Sequence, residues 1–333
     1  MSATINDVSK LSKVSVGSIS RYLNGVTLKP ENMEKVKEAI DILNYKQNII
    51  AKSLKCNKTM TIGILINSLT DIFSASIIEA AEKILTAHNY TILLCNYNYD
   101  VINQEQKLQY LLDKKIDGAI LYLTGEYLPI LNVFFEKKIP FVLVNQTVKE
   151  ISTDSVLIDN EKAGFRAVSK LLSCNHKRIG IICGFQDDPT STGRLNGYYK
   201  AHSNSKIEID QSLIVYGMYD YKKAYNATKK LLELTNLPTA IFAISYHMTV
   251  GMMIALNEMN IKIPTDMSII GFDHFELSDV IQPPLSLVEQ PMEQMGIVAS
   301  QILFRRLNGD YSDFPLTKVL DTNLCLRNSI RSL

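Results

Sequence analysis

The sequence has no tryptophan, only five cysteines and no long uninterrupted apolar stretch. The cysteines are scattered without a CxxC pair, which argues against a disulfide framework and against a structural zinc site. No run approaches the roughly eighteen apolar residues of a membrane helix, and the N-terminal MSATINDVSK lacks the pattern of a signal peptide. We therefore expect a cytoplasmic protein with reduced thiols, no membrane span and no bound metal.

Signatures of common enzyme classes are also missing. The five histidines show no HExxH or similar metal-ligand spacing, and no GxSxG, GxGxxG or GxxxxGK[ST] motif occurs. The loop GFQDDPTSTG has turn composition and could hold an anion, but a single loop of this kind is weak evidence for a site. We predict that the protein is not an enzyme.

The formal net charge of +1 is distributed unevenly. Residues 1–58 contain ten basic and five acidic residues, whereas the remainder contains 25 basic and 29 acidic ones. A basic head on a mildly acidic body suggests that only the head meets a polyanion, although a solvated charged surface would give the same counts. The length of 333 residues favours two or three domains.

The head reads as three short amphipathic helices. Thr4 and Asp7 have the spacing of a capping box, Ser15 can cap a second helix that Asn24-Gly25 ends, and Pro30 suits the first turn of a third. The apolar residues at helical spacing are, helix by helix, Ile5, Val8 and Leu11; Val16, Ile19 and Leu23; and Val36, Ala39, Ile40 and Leu43.

From residue 61 onwards, short apolar strands alternate with amphipathic helices. The predicted strands are TIGILIN, TILLCNYN, DGAILYLT, PFVLVN, RIGIICG, LIVYG, TAIFAIS and MSIIGFD. Continuous apolar strands between helices are typical of parallel sheets covered on both faces. We predict an α/β core of two doubly wound parallel sheets, with a ligand cleft between the two lobes at the carboxyl ends of the strands.

The segment VSVGSISRYLN, residues 14–24, fits a helix-turn-helix whose second helix enters the major groove. Val16, Gly17 and Arg21 would face outward, and the Arg21 guanidinium could donate two hydrogen bonds to guanine. Ser18 and Ser20 could bind phosphates and set the register. A Ser-rich amphipathic helix can equally be a plain surface helix.

The string TINDVSKLSKVSVGSISRYLNG, followed by KVKEAIDILNYKQNIIAKSL, resembles the head of the lactose-repressor/galactose-repressor family of bacterial transcription regulators. The resemblance continues through TIGILI, DGAIL, RLNGYYKA, PTAIFA, GFD and PPLSLVEQP, and so covers nearly the whole chain. It implies a helix-turn-helix domain in residues 1–46, a hinge helix and linker in 47–59, and a core like that of periplasmic binding proteins. The two lobes would comprise residues 60–158 with 288–314, and 159–287 with 315–333, with chain crossings near Ile158, Leu287 and Phe314.

For DNA, the resemblance implies a homodimer on a near-palindromic double-stranded operator. Asn48 would cap the hinge helix and Leu54 would enter the minor groove, although the segment could be a simple linker without DNA. Asn44 and Gln47 replace the glycine and proline usual in the family, which leaves the stability of the hinge open. The candidate DNA-contacting residues are Thr4, Ser15, Val16, Gly17, Ser18, Ser20, Arg21, Asn24, Asn48, Leu54 and Lys55.

For the cleft, the resemblance implies a sugar-like small-molecule effector and no cofactor. Arg194 would bind ligand hydroxyls or carboxylates and Asp273 would accept from ligand donors, although the two could equally be a structural pair. Ile244-Ser245-Tyr246 stands where sugar-responsive relatives have Ala-Asn-Asp, which points to a less polar or more aromatic ligand, or to a weak response. The candidate effector-binding residues are Phe73, Ser74, Thr190, Arg194, Tyr219, Ser245, Tyr246 and Asp273.

Two other functions fit parts of the sequence. A solute-binding protein of the periplasmic type would share the two-lobed core, but it would need an export signal and no DNA-reading head. A regulator whose core answers to a protein partner, or to no effector, would keep both parts. Repression is the family default, and activation stays open.

Overall fold

The computed structural model describes residues 3–23, 25–45, 58–125, 128–148 and 150–333. Its contacts divide the chain into two compact units, Met1–Thr59 and Met60–Leu333. We refer to them as the head and the core. Each has a hydrophobic interior of its own.

The head contains three helices, as predicted: α1 (Ile5–Ser12), α2 (Val16–Leu23) and α3 (Pro30–Ile42). The Ser15 hydroxyl accepts from the backbone N–H of Ser18 at 3.3 Å and thereby caps α2, and Pro30 occupies the first turn of α3. The buried centre is formed by Val8, Val14, Ile19, Val36 and Ala39.

One expectation about the head is wrong. Leu11 was expected on the apolar stripe of α1, but its side chain is 47% exposed, and Ser12 is buried instead. Ser12 lies four positions after Val8, so it continues the inward face, and its hydroxyl accepts from the N–H of Val14 at 3.3 Å. The small hydroxyl fits where the chain turns towards α2.

The core alternates strands and helices. Its helices are α4 (Ile72–Ala87), α5 (Val101–Asp113), α6 (Leu131–Glu136), α7 (Asn160–Ser173), α8 (Pro189–Asn204), α9 (Tyr221–Leu232), α10 (Tyr246–Glu258), α11 (Leu277–Val280) and α12 (Met292–Leu307). Its strands are β1 (Thr61–Ile66), β2 (Thr91–Asn96), β3 (Gly118–Leu121), β4 (Phe141–Val144), β5 (Asp154–Ile158), β6 (Ile179–Cys183), β7 (Ile214–Tyr216), β8 (Ala240–Ala243), β9 (Ser268–Phe272), β10 (Ser286–Glu289), β11 (Thr317–Leu320) and β12 (Asn323–Cys325).

The strands form two six-stranded sheets, in the orders β11-β5-β4-β3-β1-β2 and β12-β10-β9-β8-β6-β7. All pairings in the first sheet are parallel. The second sheet is parallel except at its edge, where β12 runs antiparallel to β10. Central strands such as β3, β4 and β8 are buried along their whole length. This architecture confirms the predicted two-sheet α/β core, with the antiparallel edge as a difference.

The chain passes between the sheets three times, which defines a first lobe around the first sheet and a second lobe around the second. The first passage lies between β5 and α7, at Asp159. The second follows Glu289, the last residue of β10, and α12 then packs on α4 of the first lobe. The third lies at residues 321–322, between β11 and β12.

Two of the expected passages therefore need correction. Residues 288 and 289 belong to the second sheet, because β10 pairs with β9. Residues 315–320 belong to the first lobe, since β11 pairs with β5 and the Asp154 carboxylate accepts from the N–H of Leu316 at 2.8 Å. The third passage is thus displaced from Phe314 because one more strand joins the first sheet.

Most core helices begin at a side chain that accepts a backbone N–H of the first turn. These N-caps are Asp71, Asp100, Asp159, Asp188, Asp220 and Ser245. Gly164 lets α7 approach α8 closely, because a Cβ there would lie 2.3 Å from the carbonyl oxygen of Arg194. Among the described residues, no helix combines the length and apolar character needed to cross a membrane.

Candidate functional site

The outward side of α2 carries the residues predicted to read DNA. Ser15, Gly17 and Arg21 are exposed, while Val16, Ser18 and Ser20 are half-buried. A Cβ at Gly17 would meet nothing within 4 Å, so the start of α2 presents an open surface. Arg21 lies one turn after Ser18, and its guanidinium approaches the Ser18 hydroxyl at 3.4 Å. Arg21 itself is exposed, so its guanidinium is accessible from outside the head.

Thr4 lies at the start of α1 and is exposed. The Asp7 carboxylate accepts from its backbone N–H at 2.9 Å and from its hydroxyl at 2.7 Å. These hydrogen bonds lower the pKa of Asp7 and fix the first turn of α1. Four further DNA candidates lie outside the described residues: Asn24, Asn48, Leu54 and Lys55.

In the core, a cavity lies between the two lobes at the carboxyl ends of the strands. The first lobe contributes side chains from the loops after β1, β2, β3 and β4 and from the start of α4: Asn67, Asp71, Phe73, Tyr99, Tyr122 and Asn145. The second lobe contributes Thr190, Arg194, Tyr219, Ser245, His247, Asp273 and Gln290. The cavity therefore lies where the topology of parallel sheets places ligands.

Six of the eight residues predicted to contact an effector line this cavity: Phe73, Thr190, Arg194, Tyr219, Ser245 and Asp273. Ser74 does not, because its hydroxyl is buried and donates to Asn67 Oδ1 at 2.9 Å. Tyr246 lines a separate outer basin, and its backbone N–H donates to Asp273 at 3.2 Å.

Arg194 is held by protein acceptors on every side. Its Nε donates to Asn160 Oδ1 at 2.9 Å, one terminal nitrogen donates to the carbonyl of Ile244, and the other approaches Gln290 Oε1 at 3.4 Å. The guanidinium also lies 3.7 Å from the ring centroid of Phe272. The Arg194 donors are thus used by acceptors of the second lobe. In this conformation the contacts favour a structural role for Arg194 over direct binding of a ligand.

Asp273 is linked to Arg194 through Gln290. The Gln290 amide donates to Asp273 Oδ1 at 2.6 Å while its oxygen faces Arg194. Burial raises the pKa of Asp273. The Arg194 charge and the hydrogen bonds that Asp273 accepts from Gln290 and from the N–H of Tyr246 oppose this rise. Arg194 and Asp273 are therefore connected within the second lobe by the amide of Gln290, a residue that the sequence had not indicated.

Aromatic rings from both lobes meet at the mouth of the cavity. Tyr99 and Tyr219 stack in parallel with centroids 5.8 Å apart and an interplanar angle of 5°, and Phe185 packs against both. Tyr219 is fixed by its hydroxyl, which donates to the Asp188 carboxylate. Deeper in, Phe73 meets Tyr122 edge to face at 5.7 Å. Phe73 and Tyr219 were predicted from the sequence, whereas Tyr99 and Tyr122 were not.

Two further polar groups of the first lobe were missed. Asp71 is 8% exposed, and within the described part of the chain its carboxylate accepts a single, long hydrogen bond of 3.4 Å from the N–H of Phe73. Burial raises its pKa to about 7, with the charge of Asp273 adding to the rise, and with the Phe73 N–H and Arg194 opposing it. Its position at the end of a β1 loop, opening a helix, was the signal that could have identified it.

Asn145, after β4, is the second missed group. Its Nδ2 donates to Thr190 Oγ1 of the other lobe at 3.3 Å. Its Oδ1 is buried without a hydrogen-bond partner among the described residues. A buried amide oxygen without a partner is costly, so it marks a position where a donor from a ligand would be favoured.

The inner cavity has a volume of about 20 Å³, enough for about one water molecule. Outside the Tyr99–Tyr219 stack, a basin of about 650 Å³ is lined by both lobes, including Asn98, Tyr246 and His247. The basin has the size of a small-molecule site. Entry of a ligand into the inner cavity therefore requires the lobes or the stacked rings to move.

Another cavity, of about 460 Å³, lies at the amino ends of β4 and β5, on the side of the first sheet opposite to the cleft. It is bounded by α6 and by the segment that precedes β11. Phe141, Tyr311 and Phe314 give it an apolar wall, and the buried ion pair of Arg306 with Asp154 forms one side. None of the predicted site residues contributes to it. Nor do the described residues contain a cluster of three or more groups that could hold a metal ion.

Comparison with known proteins gives consistent matches over the chain. Residues 168–330 match the family model of the periplasmic binding protein-like domain. The HTH-type transcriptional repressor PurR of Vibrio atlanticus (strain LGP32) is 33% identical over 309 residues, which cover 92% of either chain. Catabolite control protein A of Priestia megaterium is also 33% identical, over 96% of this chain and 97% of its own. These relatives are regulators, not enzymes.

Solved structures give the same result. The transcriptional regulator CelR in complex with cellobiose superposes with a TM-score of 0.75 at 28% identity, covering 98% of this chain and 99% of its own. The lac repressor dimer bound to operator and the anti-inducer ONPF superposes at 0.87 with 21% identity over 99% of this chain and 100% of its own, which shows the shared fold. The head with its exposed α2, the two-lobed core and these relatives together show that the chain is a DNA-binding transcriptional regulator of the lactose-repressor/galactose-repressor family.

Proposed function

We propose that this regulator is a homodimeric repressor, acting in the cytoplasm, whose affinity for a near-palindromic operator is set by a small sugar-like metabolite bound between the core lobes. The observation that carries the proposal is the cavity built by polar and aromatic side chains of both lobes. A ligand that contacts both lobes favours one arrangement of them, and only this preference can be coupled to another site. The likeness to a regulator in complex with cellobiose supports the ligand class.

Operator reading is assigned to α2. Arg21, exposed one turn after Ser18, has the donor geometry for guanine, while Ser15, Ser18 and Ser20 are suited to phosphates. Thr4 and Gly17 border the same α1–α2 segment, and Val16 offers an apolar contact. The remaining candidates, Asn24, Asn48, Leu54 and Lys55, complete the proposed interface on sequence grounds. A two-fold protein reads two half-sites, which is why a near-palindromic operator is proposed.

Selection from a randomised palindromic DNA pool, read by electrophoretic shift, tests the DNA assignment. Arg21→Ala should lose discrimination at one base position of each half-site, worth roughly 1–3 kcal/mol. Lys35→Ala, on the exposed side of α3, removes one positive charge as well and should keep the selected sequence. Equal selectivity of the two variants would show that α2 is not the reading helix.

A thermal-shift screen of the full chain against sugars, sugar phosphates, nucleosides and purines tests the effector assignment. A compound that raises the melting temperature of the wild type should act more weakly on Asn145→Ala, which lacks the unpartnered cleft oxygen. Asn132→Ala, an exposed asparagine of α6, is the matched control. A panel without any binder would favour the alternative in which the core answers to a protein partner or to no effector.

A further inference from the structure

The charged groups around the inner cavity are unbalanced. Asp71 and Asp273 are its carboxylates, Arg194 is its guanidinium, and burial lowers the pKa of His247, which favours the neutral imidazole. Asp273 and Arg194 are already bridged by Gln290 within the second lobe. Among the described residues, Asp71 has neither a bonded cation nor a bridging amide that connects it to one.

The hydrogen bonds of Asp71 point the same way. Asp273 accepts from Gln290 at 2.6 Å and from the N–H of Tyr246 at 3.2 Å, whereas Asp71 accepts from the N–H of Phe73 at 3.4 Å. Asp71 is 8% exposed, so its carboxylate has lost most of its hydration, and such weak partners replace little of it. The unpartnered Oδ1 of Asn145 lies in the same cavity, so two acceptors of the first lobe have capacity left.

Aromatic rings complete the surroundings of Asp71. Phe73, Tyr99, Tyr122 and Tyr219 line the cavity together with it. The hydroxyl groups of Tyr99 and Tyr122 are close enough to Asp71 for its charge to raise their pKa values, after the larger effect of burial. Ring faces attract cations through their quadrupole, and cages of such rings are used to hold ammonium groups in water-poor sites.

From this combination we infer that the effector carries an ammonium group, which binds between the Asp71 carboxylate and Asn145 Oδ1 inside the aromatic cage. The inference rests on the proposed cleft site and specifies the chemical class of its ligand. An ammonium group supplies the donors that the two acceptors lack and neutralises the buried carboxylate. A phosphate or carboxylate at this position would face Asp71 without an available cation and should be rejected.

Matched pairs of probes that differ in charge test this inference on the full-length protein. The pairs are glucosamine with glucose, galactosamine with galactose, and cadaverine with 1,5-pentanediol, and glucose 6-phosphate serves as an anion. Binding is measured by thermal shift and titration calorimetry at neutral pH. At least one amine should bind at least about tenfold more tightly than its neutral partner, since hydrogen bonds to charged groups are the stronger ones.

Asp71→Asn is the decisive variant, because asparagine is also a good N-cap and should preserve the start of α4. It should weaken amine binding at least about tenfold, whereas Asp187→Asn, at an exposed aspartate, should leave it unchanged. Unchanged amine affinity in Asp71→Asn overturns the inference.

Two other outcomes separate this inference from the proposed function. Preferred binding of a neutral or anionic probe that Asn145→Ala weakens overturns the ammonium inference and leaves the effector site standing. No binding by any probe, in this panel or in the broader metabolite screen, overturns both.

Discussion

The Nδ2 of Asn145 donates to Thr190 Oγ1 at 3.3 Å, and this hydrogen bond connects the first lobe to the second across the cleft. Both side chains are buried, at 5% and 4% exposure. A neutral hydrogen bond of this kind contributes about 1 kcal/mol. Because the bond joins the two lobes across the cleft, it biases them towards the arrangement described.

Thr190→Val should therefore shift the unliganded core towards more open arrangements. The substitution keeps the shape of the side chain and removes the acceptor, and a loss of about 1 kcal/mol corresponds to an approximately fivefold change in the open-to-closed ratio. Small-angle X-ray scattering should show a larger radius of gyration. Thr192→Val, at an exposed threonine of α8, should match the wild type, and a compact Thr190→Val would show that the bond does not hold the lobes.

Asp71→Asn should stabilise the unliganded protein, and more so as the pH rises. Burial raises the pKa of Asp71 from 3.8 to about 7 in the folded state, so between these values the folded protein retains a proton that the unfolded chain has released. The stability contributed by the protonated carboxyl is complete below pH 4 and is lost as the pH rises through 7. The side-chain amide of the Asp71→Asn variant does not titrate, so the variant does not lose stability in this way as the pH rises.

The expected gain of Asp71→Asn is near zero at pH 4 and reaches up to about 4 kcal/mol at pH 8, since each tenfold change in proton affinity corresponds to about 1.4 kcal/mol. Thermal or denaturant unfolding at a series of pH values measures it. The groups that face Asp71 are Asp273, Arg194, Tyr99 and Tyr122. Asp187→Asn should give a flat difference, and a flat profile for Asp71→Asn as well would contradict the raised pKa.

The sequence predicted eight of the twelve strands that the structure describes, including the partly exposed β2 and β7, but it missed β5 and β10 although both are largely buried. β1, β3, β4, β6, β8 and β9 are continuous apolar runs, and the sequence identifies them directly. β11 is largely exposed at a sheet edge, and β12 has three residues in an antiparallel pairing, so neither shows a period that the sequence could reveal. The displaced third passage follows from this missing signal.

The cleft could be located from the sequence but not assembled from it. Arg194 and Asp273 were identified as site residues, yet their shared partner Gln290 follows a different strand and lies 96 positions from Arg194. Asp71 and Asn145 likewise follow strands β1 and β4, and they come together only because the sheet order places these loops at one edge. Such contacts depend on tertiary packing, which local patterns do not encode.

Gly184→Ala should disturb the aromatic mouth of the cleft. A Cβ at Gly184 would lie 2.4 Å from Cζ of Tyr219, so the ring must leave both the stack with Tyr99 and its hydrogen bond to Asp188. Overpacking of this type costs about 1–3 kcal/mol and should lower the melting temperature. Gly17→Ala, where a Cβ meets nothing within 4 Å, should not. An unchanged melting temperature for Gly184→Ala would show that Tyr219 moves at little cost.

Asp154→Asn should destabilise the first lobe strongly. The two carboxylate oxygens of Asp154 accept from Arg306 Nε at 2.8 Å and from Arg306 Nη2 at 2.9 Å, and both side chains are 1% exposed. One of these oxygens also accepts from the N–H of Leu316, which fixes the approach to β11. The substitution leaves the buried Arg306 charge without its main partner, at a cost of about 3–5 kcal/mol.

Asp321→Asn provides the comparison for this ion pair. Its partner Lys162 is 2.7 Å away, but the two side chains are 50% and 83% exposed, so solvent screens the pair and its loss should cost less than about 1 kcal/mol. Denaturant unfolding of both variants measures the difference. If Asp154→Asn is no more destabilising than Asp321→Asn, the second carboxylate on Arg306, that of Asp313 at 2.8 Å, is sufficient to hold the charge. In that case β11 is held mainly by its backbone pairing with β5.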